Sequence, residues 1–184
     1  MSVRVVTIAR WRAITPRIVI ASGRTRRRAF RLAGRQTSAG YARGVLSAEV
    51  WPVALAAAAA LHAGFQLTVT LLVYPALGDV DPARWSEAHA RHSRRIVPIV
   101  GVTYLGVLVT VAGSLLVGPD VATVVAAAAF AVVLALTGLA AAPLHGRLAG
   151  ARDALLFRRL VQVDRLRSLF ALAALGAAVV GASG

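Results

Sequence analysis

Four apolar stretches separated by short polar segments dominate the pattern of hydrophobic and polar positions along the chain. They cover 49–77, 96–118, 121–142 and 166–182, and charged side chains occur only near their starts, as Glu49 and Arg167. A helix rises about 1.5 Å per residue and a hydrocarbon core is about 30 Å thick, so each stretch is long enough, or nearly so, to cross a bilayer. The pattern predicts an all-α fold, an integral membrane four-helix bundle.

The composition agrees with this prediction and excludes several kinds of chemistry. The chain is 58% hydrophobic and only 15% charged, far from the balance of a soluble domain. The absence of cysteine rules out disulfides, thiolate metal sites and cysteine nucleophiles. No phosphate-binding glycine loop, nucleophilic serine motif or HExxH signature occurs.

The basic charge divides the chain into a tail, 1–44, and a membrane domain, 45–184. The tail holds 11 of the 21 basic residues, all arginine, and no acid, and is predicted to be disordered. It has three interpretations: a targeting segment, a twin-arginine signal around Arg27 and Arg28, or an upstream start chosen in error. The third is preferred, with translation expected to begin near Val45.

The charge of the membrane domain determines which partners we expect. Outside the tail the chain has 10 arginines and 7 acidic residues, so most of its high net charge comes from the tail. The charge therefore does not indicate nucleic acid as a partner of the membrane domain. The expected partners are the lipid bilayer and a second copy of the chain or another membrane protein.

All the arginines outside the tail lie in two connections that a four-helix protein places on the same side. They are Arg84, Arg91, Arg94, Arg95, Arg147, Arg152, Arg158, Arg159, Arg165 and Arg167. Arginine-rich connections stay in the cytoplasm, so the sequence predicts a multi-pass protein of the plasma membrane with both termini outside the cytoplasm.

Polar residues within the first apolar stretch share one face of the predicted helix. His62, Gln66 and Thr70 are spaced four apart and cover about 80° of its circumference, with Tyr74 one turn further on. Unpaired polar groups are costly in lipid, so we expect this face to point into the bundle. The intramembrane pair His62 and Gln66 is a candidate for a functional role. Ser and Thr in the other stretches are expected to pack between helices.

The other three histidines are predicted to meet near the cytoplasmic surface. Asp81-Pro82 is a good helix start, and a helix from there would run into the second stretch, kinked or interrupted near Pro98. His89 and His92 would share a face of it, and His145 follows the third stretch at the same level. The candidate functional cluster is His89, His92, His145, Asp164 and Arg167.

The histidines of this cluster are candidate metal ligands. His89, His92 and His145 have the chemistry to ligate zinc, iron or copper, although no carboxylate partner is fixed by spacing. Haem held by two histidines across the membrane is disfavoured because only His62 lies deep in a stretch. The sequence therefore assigns no cofactor.

Several short motifs resemble a group of small bacterial four-helix membrane proteins, mostly uncharacterised, that are similar in layout to the anthrone-oxygenase-like family. They are Gly64-Phe65-Gln66 with Val73-Tyr74-Pro75, Trp85-x3-His89-x2-His92-x2-Arg95-Ile96, Pro143-Leu144-His145-x2-Leu148 and Arg159-Leu160-Val161-x2-Asp164-x2-Arg167. The resemblance covers about residues 46–182. This chain keeps the arginine and the hydroxyl of the group's Asn-Trp-x-Arg-Thr segment, as Arg167 and Ser168, and lacks its tryptophan. The resemblance implies cofactor-poor oxidation of a hydrophobic polycyclic substrate.

Two classes of function fit these patterns. The first, which is preferred, is a non-catalytic membrane protein for assembly or interaction. The alternative is a membrane-bound oxidoreductase that acts on a lipophilic substrate through the histidine cluster on the cytoplasmic side. A transporter is disfavoured because four helices with so little charge inside the membrane offer a poor pathway.

The orientation can be tested by labelling in intact cells. Because all ten arginines outside the tail lie on one side, we expect Asp120→Cys and Ser183→Cys to react with an impermeant thiol reagent added outside. Arg152→Cys should react only after the cells are opened. Labelling of Arg152→Cys alone in intact cells would show that the orientation is reversed.

Overall fold

The computed structural model describes residues 49–184, which form four long helices joined by short connections. These are α1 (Val50–Gly78), α2 (Pro82–Val117), α3 (Val121–Leu148) and α4 (Ala154–Ser183). The all-α prediction is confirmed over this range, and each helix is long and apolar enough to cross a membrane. The predicted tail, 1–44, and the predicted start near Val45 lie outside the described residues.

Three of the helices extend well beyond the apolar stretches. α2 begins before residue 96, α3 continues after 142 and α4 begins before 166. A helix satisfies its own backbone hydrogen bonds in water as well as in lipid, so hydropathy marks the apolar part of a helix and not its ends. An interruption at Pro98 is not observed, because Trp85–Val117 is one α-helix. Pro98 is exposed and lies close to the charged turn of Arg94 and Arg95, where the carbonyl that loses its partner can bind water.

Aspartates begin three of the four helices. The carboxylates of Asp81, Asp120 and Asp153 accept backbone N–H bonds from Ala83 at 2.7 Å, from Thr123 at 2.6 Å and from Leu155 and Leu156 at 2.8 and 2.9 Å. These caps satisfy N–H groups that have no partner inside the helix. The hydrogen bonds from Thr123 hold the pKa of the Asp120 carboxyl below its usual range. The cap is therefore present at neutral pH and is lost only as the pH falls through that lowered value.

Short connections make successive helices antiparallel. Gly118 adopts a φ of 141° at the end of α2, a conformation that favours glycine, and so permits the tight turn into α3. α4 packs along both α1 and α3, and α1 packs along α2, whereas α2 and α3 touch each other at only a few places. The end of the bundle that holds the connections 79–81 and 149–153 is called the arginine end below.

At the opposite end the helices approach closely through small residues. Leu55 and Ala59 of α1 pack against Ala126 of α3 and Ala178 of α4. Gly113 of α2 lies directly under the indole ring of Trp51, where a Cβ atom would overlap the ring. The missing side chain therefore allows α1 and α2 to approach each other here.

Glycine-to-alanine substitutions should show this close approach. Alanine normally stabilises a helix interior relative to glycine, and Gly101→Ala, which meets no atom within 4 Å, should be neutral or stabilising. Gly113→Ala must displace the ring of Trp51, and we expect it to lower the free energy of unfolding by about 1–3 kcal/mol. Unfolding in detergent would measure both variants, and equal effects would contradict this packing.

Candidate functional site

A buried ion pair on α4 is the centre of the polar interior. Asp164 is 0% exposed and Arg167 is 6% exposed, and Asp164 Oδ1 accepts a bond from Arg167 Nη1 at 3.3 Å. Two charges out of water are costly unless they are paired and their remaining hydrogen-bonding groups are satisfied. The neighbouring helices supply those partners.

α1 completes the hydrogen bonds of the aspartate. Gln66 Nε2 donates to Asp164 Oδ1 at 2.6 Å, and the hydroxyl of Thr70 donates to Asp164 Oδ2. Ser168 of α4 lies 2.6 Å from the Thr70 hydroxyl and bonds to the backbone carbonyl of Asp164 at 3.1 Å. Donors therefore surround the carboxylate, as expected for its ionised form.

α1 and α2 supply further hydrogen-bond acceptors to the arginine, and α3 is linked to it through α2. Arg167 Nη2 donates to Gln66 Oε1 at 3.1 Å and to the hydroxyl of Tyr104 on α2 at 2.8 Å. Tyr104 in turn lies 2.9 Å from the hydroxyl of Thr137 on α3, which donates to the carbonyl of Val133 at 2.7 Å. Since Tyr104 accepts from the cation, its own proton is free to be donated to Thr137. One guanidinium thus links all four helices.

A second polar chain joins three helices nearer the arginine end. The hydroxyl of Tyr74 on α1 lies 3.0 Å from His145 Nε2, and His145 Nδ1 lies 3.2 Å from His89 Nε2. Both ring nitrogens of His145, on α3, are therefore hydrogen-bonded to neighbouring side chains. Tyr74 and His89 are buried, so this chain is largely protected from water.

Two wide helical turns bring Tyr74 and His145 into position. α1 contains a π-helical segment at Val69–Val73, and α3 contains one at Thr137–Ala141. In a regular α-helix, a residue eight positions further along lies about 80° off the starting face. A π turn contains one extra residue, so eight positions across it correspond to seven positions of a regular helix. The two residues then lie only about 20° apart around the helix. The turns thus align Tyr74 with Gln66, and His145 with Thr137.

The remaining two histidines each have a buried nitrogen without a partner. His92 stacks on His145, with ring centroids 6.1 Å apart, and its Nε2 meets no hydrogen-bonding group among residues 49–184. His62 contacts the ring edges of Tyr104 and Phe130 at 5.0 and 5.4 Å, and its Nε2 is likewise unpartnered within that range. His62 is therefore held by aromatic packing, and His92 stacks on His145 with its Nε2 left without a partner.

Trp85 fixes the position of the histidines from the arginine end. Its ring is fully buried and stacks on His89 at 5.5 Å, and its Nε1 donates to the carbonyl of Leu148 at 2.7 Å. The guanidinium of Arg152 lies 5.9 Å from the centre of that ring and donates to the carbonyls of Gly78 and Val80. The ends of α1, α2 and α3 are thereby held together.

A cavity of about 430 Å³ lies where α2 and α3 separate. The Tyr104–Thr137 bond lies toward its inner end and the His89–His145 bond toward the arginine end. At about 1.5 Å per residue along the helix axes, the two α2 residues of these bonds are about 22 Å apart and the two α3 residues about 12 Å apart. The walls are mostly apolar, with polar groups from each helix. The lining includes Phe65, Val69, Tyr74, His89, His92, Ile96, Val97, Val100, Thr137, Ala141, Ala142, His145 and Arg167.

The structure brings together most of the residues that the sequence singled out. His89, His92 and His145 contact one another in one cluster, and Asp164, Arg167 and Gln66 form the ion-pair network. Arg165, which follows Asp164 directly in the chain and could also have paired with it, is exposed on the outer side of α4.

The geometry does not favour the metal that the sequence allows. Among residues 49–184, no three His, Asp or Glu side chains are arranged to hold a metal ion. At His89, His92 and His145 the physical reason is that both nitrogens of His145 are already hydrogen-bonded, which leaves no free lone pair for a ligand bond. We therefore propose no metal centre.

The sequence pattern did not single out Tyr104, which links Arg167 to α3. The signal that could have pointed to Tyr104 is a phenol inside an apolar stretch, because a buried hydroxyl needs a hydrogen-bond partner. Thr103 and Thr110 are expected to pack between helices, and Thr103 is buried. Their hydroxyls donate to carbonyls of their own helix at 2.9 Å.

No family model, curated protein or solved structure matches this chain. The resemblance to the anthrone-oxygenase-like layout therefore stays a prediction.

A double-mutant cycle should show how strongly the ion pair is coupled. Asp164→Asn leaves Arg167 without a counter-charge, and we expect a loss of about 3–5 kcal/mol in the free energy of unfolding. The double variant, with Asp164→Asn and Arg167→Met, should lose much less free energy of unfolding than the sum of the losses of the two single variants. Glu87→Gln breaks the exposed Glu87–Arg91 pair and should cost only about 0.3–0.5 kcal/mol. Additive effects of the two buried changes would contradict direct coupling.

Proposed function

We propose that this chain is a multi-pass plasma-membrane protein whose cavity binds a lipophilic small molecule and exchanges a proton with it. This is the catalytic alternative raised by the sequence, the membrane-bound oxidoreductase. The observation that supports it is the cavity between α2 and α3, with an apolar wall and a histidine cluster at one end. Proton transfer at the bound molecule is the part of such chemistry that these residues can perform.

The outer surface of the bundle supports insertion in a bilayer. Large apolar side chains point outward from the helices, such as Leu116 at 86% and Leu139 at 82% exposure. Apolar surface of this extent on a helical protein is typical of contact with lipid. The arginine end is proposed to face the cytoplasm, with the termini on the other side, because nine of the ten arginines of the four-helix region lie toward that end and the tenth is the buried Arg167.

The shape of the cavity supports a ligand that enters from the lipid. Val97 of α2 and Ala142 of α3 line the cavity and are also exposed on the outside of the bundle. The cavity therefore opens sideways between these helices, at the level where the apolar stretch of α2 begins. A lipophilic molecule with one polar end fits such an opening, with its polar end toward the histidines.

His92 is the residue best placed to exchange the proton. Both nitrogens of His145 and the Nε2 of His89 are engaged in the Tyr74–His145–His89 chain. His92 Nε2 has no partner in the described part of the chain, and the His92 ring lines the cavity. The stacked ring of His145 holds His92 in place, so His92 can serve as the acid or base. The Tyr74–His145–His89 hydrogen bonds in turn fix the position of His145.

The role in assembly or interaction is the competing proposal. It needs no cavity ligand and rests on composition alone. Failure of this protein to bind a lipophilic probe would favour the role in assembly or interaction.

An octyl-substituted 4-nitrophenol tests binding and proton transfer together, because its anion absorbs visible light. In nanodiscs the native chain should bind the probe, and the ratio of anion to phenol should be about tenfold higher than for the His92→Phe variant. His92→Phe keeps an aromatic ring to stack on His145, so it should bind the probe without that shift.

Val97→Trp fills the cavity and should abolish binding of the probe. Val102→Trp is the matched control, since Val102 is 70% exposed and Val97 is 64% exposed, and only Val97 lines the cavity. Absence of binding to the native chain would overturn the proposed function. Equal ionisation in the native chain and His92→Phe would overturn the role of His92.

A further inference from the structure

One donor of the buried guanidinium is left without a partner. Arg167 Nη1 donates to Asp164, and Nη2 donates to Gln66 and Tyr104, whereas Nε meets no acceptor among residues 49–184. A buried N–H without an acceptor is costly, and an arginine can only donate there. Arg167 is 94% buried and is one of the residues that line the cavity, so the cavity is the side from which an acceptor would approach it.

We propose that Arg167 Nε binds an uncharged acceptor oxygen, such as a carbonyl, on the lipophilic molecule held in the cavity. This assignment rests on the proposed function, in which the cavity holds such a molecule. It adds the chemical class of the ligand and a second contact point, at the inner end of the cavity, away from His92.

The charge balance at Arg167 favours a neutral acceptor over an anion. The guanidinium is already paired with Asp164, which is fully buried and accepts bonds from three side chains. A carboxylate or phosphate at Nε would bring a second negative charge close to Asp164 in an apolar region, and like charges there repel strongly. A carbonyl accepts the same hydrogen bond without that cost.

The lining of the cavity favours a ligand oxygen over a water molecule. A buried water typically needs two to four polar partners. The cavity lining is mostly apolar and includes Val69, Val100 and Ala141. A carbonyl on an apolar body satisfies the unpartnered Nε–H group and places hydrocarbon against these walls.

Three probes with the same chain length test the class of ligand. They are 2-dodecanone, dodecane and dodecanoate, each measured for binding to the full chain in nanodiscs by displacement of the nitrophenol probe. We expect 2-dodecanone to bind about tenfold more tightly than either of the others, the factor expected for one hydrogen bond from a charged donor.

The Arg167→Lys variant isolates the proposed contact. Lysine keeps a cation for Asp164 and removes the Nε–H group, so the preference for the ketone over the alkane should disappear. Arg165→Lys is the matched control, because Arg165 is exposed and lies outside the cavity lining. It should keep the preference of the native chain.

Infrared spectroscopy supplies a measurement that needs no variant. The carbonyl stretch of isotopically labelled 2-dodecanone should move to lower frequency on binding to the native chain, since a hydrogen bond from a cation weakens the C=O bond. This keeps the proposal testable if Arg167→Lys does not fold.

The outcomes separate the two proposals. Equal binding of the three probes, tighter binding of dodecanoate, or an unshifted carbonyl stretch would overturn the neutral acceptor and leave the proposed function standing. No binding of the nitrophenol or of any dodecyl probe would overturn both.

Discussion

The ion pair between Asp164 and Arg167 imposes the strictest constraint on this fold. Both side chains lie on one turn of α4, in the interior, where they are shielded from bulk water. A charge in such a place is tolerated only when its partners are fixed, so Gln66 of α1 and Tyr104 of α2 have to occupy their positions together. Tyr104 extends the constraint to Thr137 of α3. The helices are thus arranged around α4 by hydrogen bonds as well as by apolar packing.

The cavity follows from the way these polar contacts are distributed. α2 and α3 are joined at Tyr104–Thr137 and at His89–His145, and between those levels small or β-branched residues such as Val100 and Ala141 leave space. In a membrane, lipid is as apolar as the helix surfaces, so burial of apolar area gives little drive to close such a gap. Polar contacts at both ends therefore keep the helices together and leave an opening between them.

The two π-helical turns are the local cost of this arrangement. Such turns are rare and are found mostly at functional sites, because they strain the helix in order to re-aim a side chain. Here one turn precedes Tyr74 and the other precedes His145, and the two side chains meet at 3.0 Å. Without the extra residue in each helix, the histidine chain and the ion-pair network would lie on different faces of α1 and α3.

The sequence by itself determined the number of helices, their apolar lengths, the shared face of His62, Gln66 and Thr70, and the meeting of the histidines near one end. These follow from hydropathy and from regular helical spacing, which act within one helix or across a short turn. Only the tertiary structure decided that Asp164 pairs with Arg167 and not Arg165, that Tyr104 links the network to α3, and that α2 and α3 separate to form a cavity. These features depend on the rotation of each helix against its neighbours and on the π turns. A pattern that assumes 100° per residue predicts neither of them. Both are set by contacts between residues far apart in the chain.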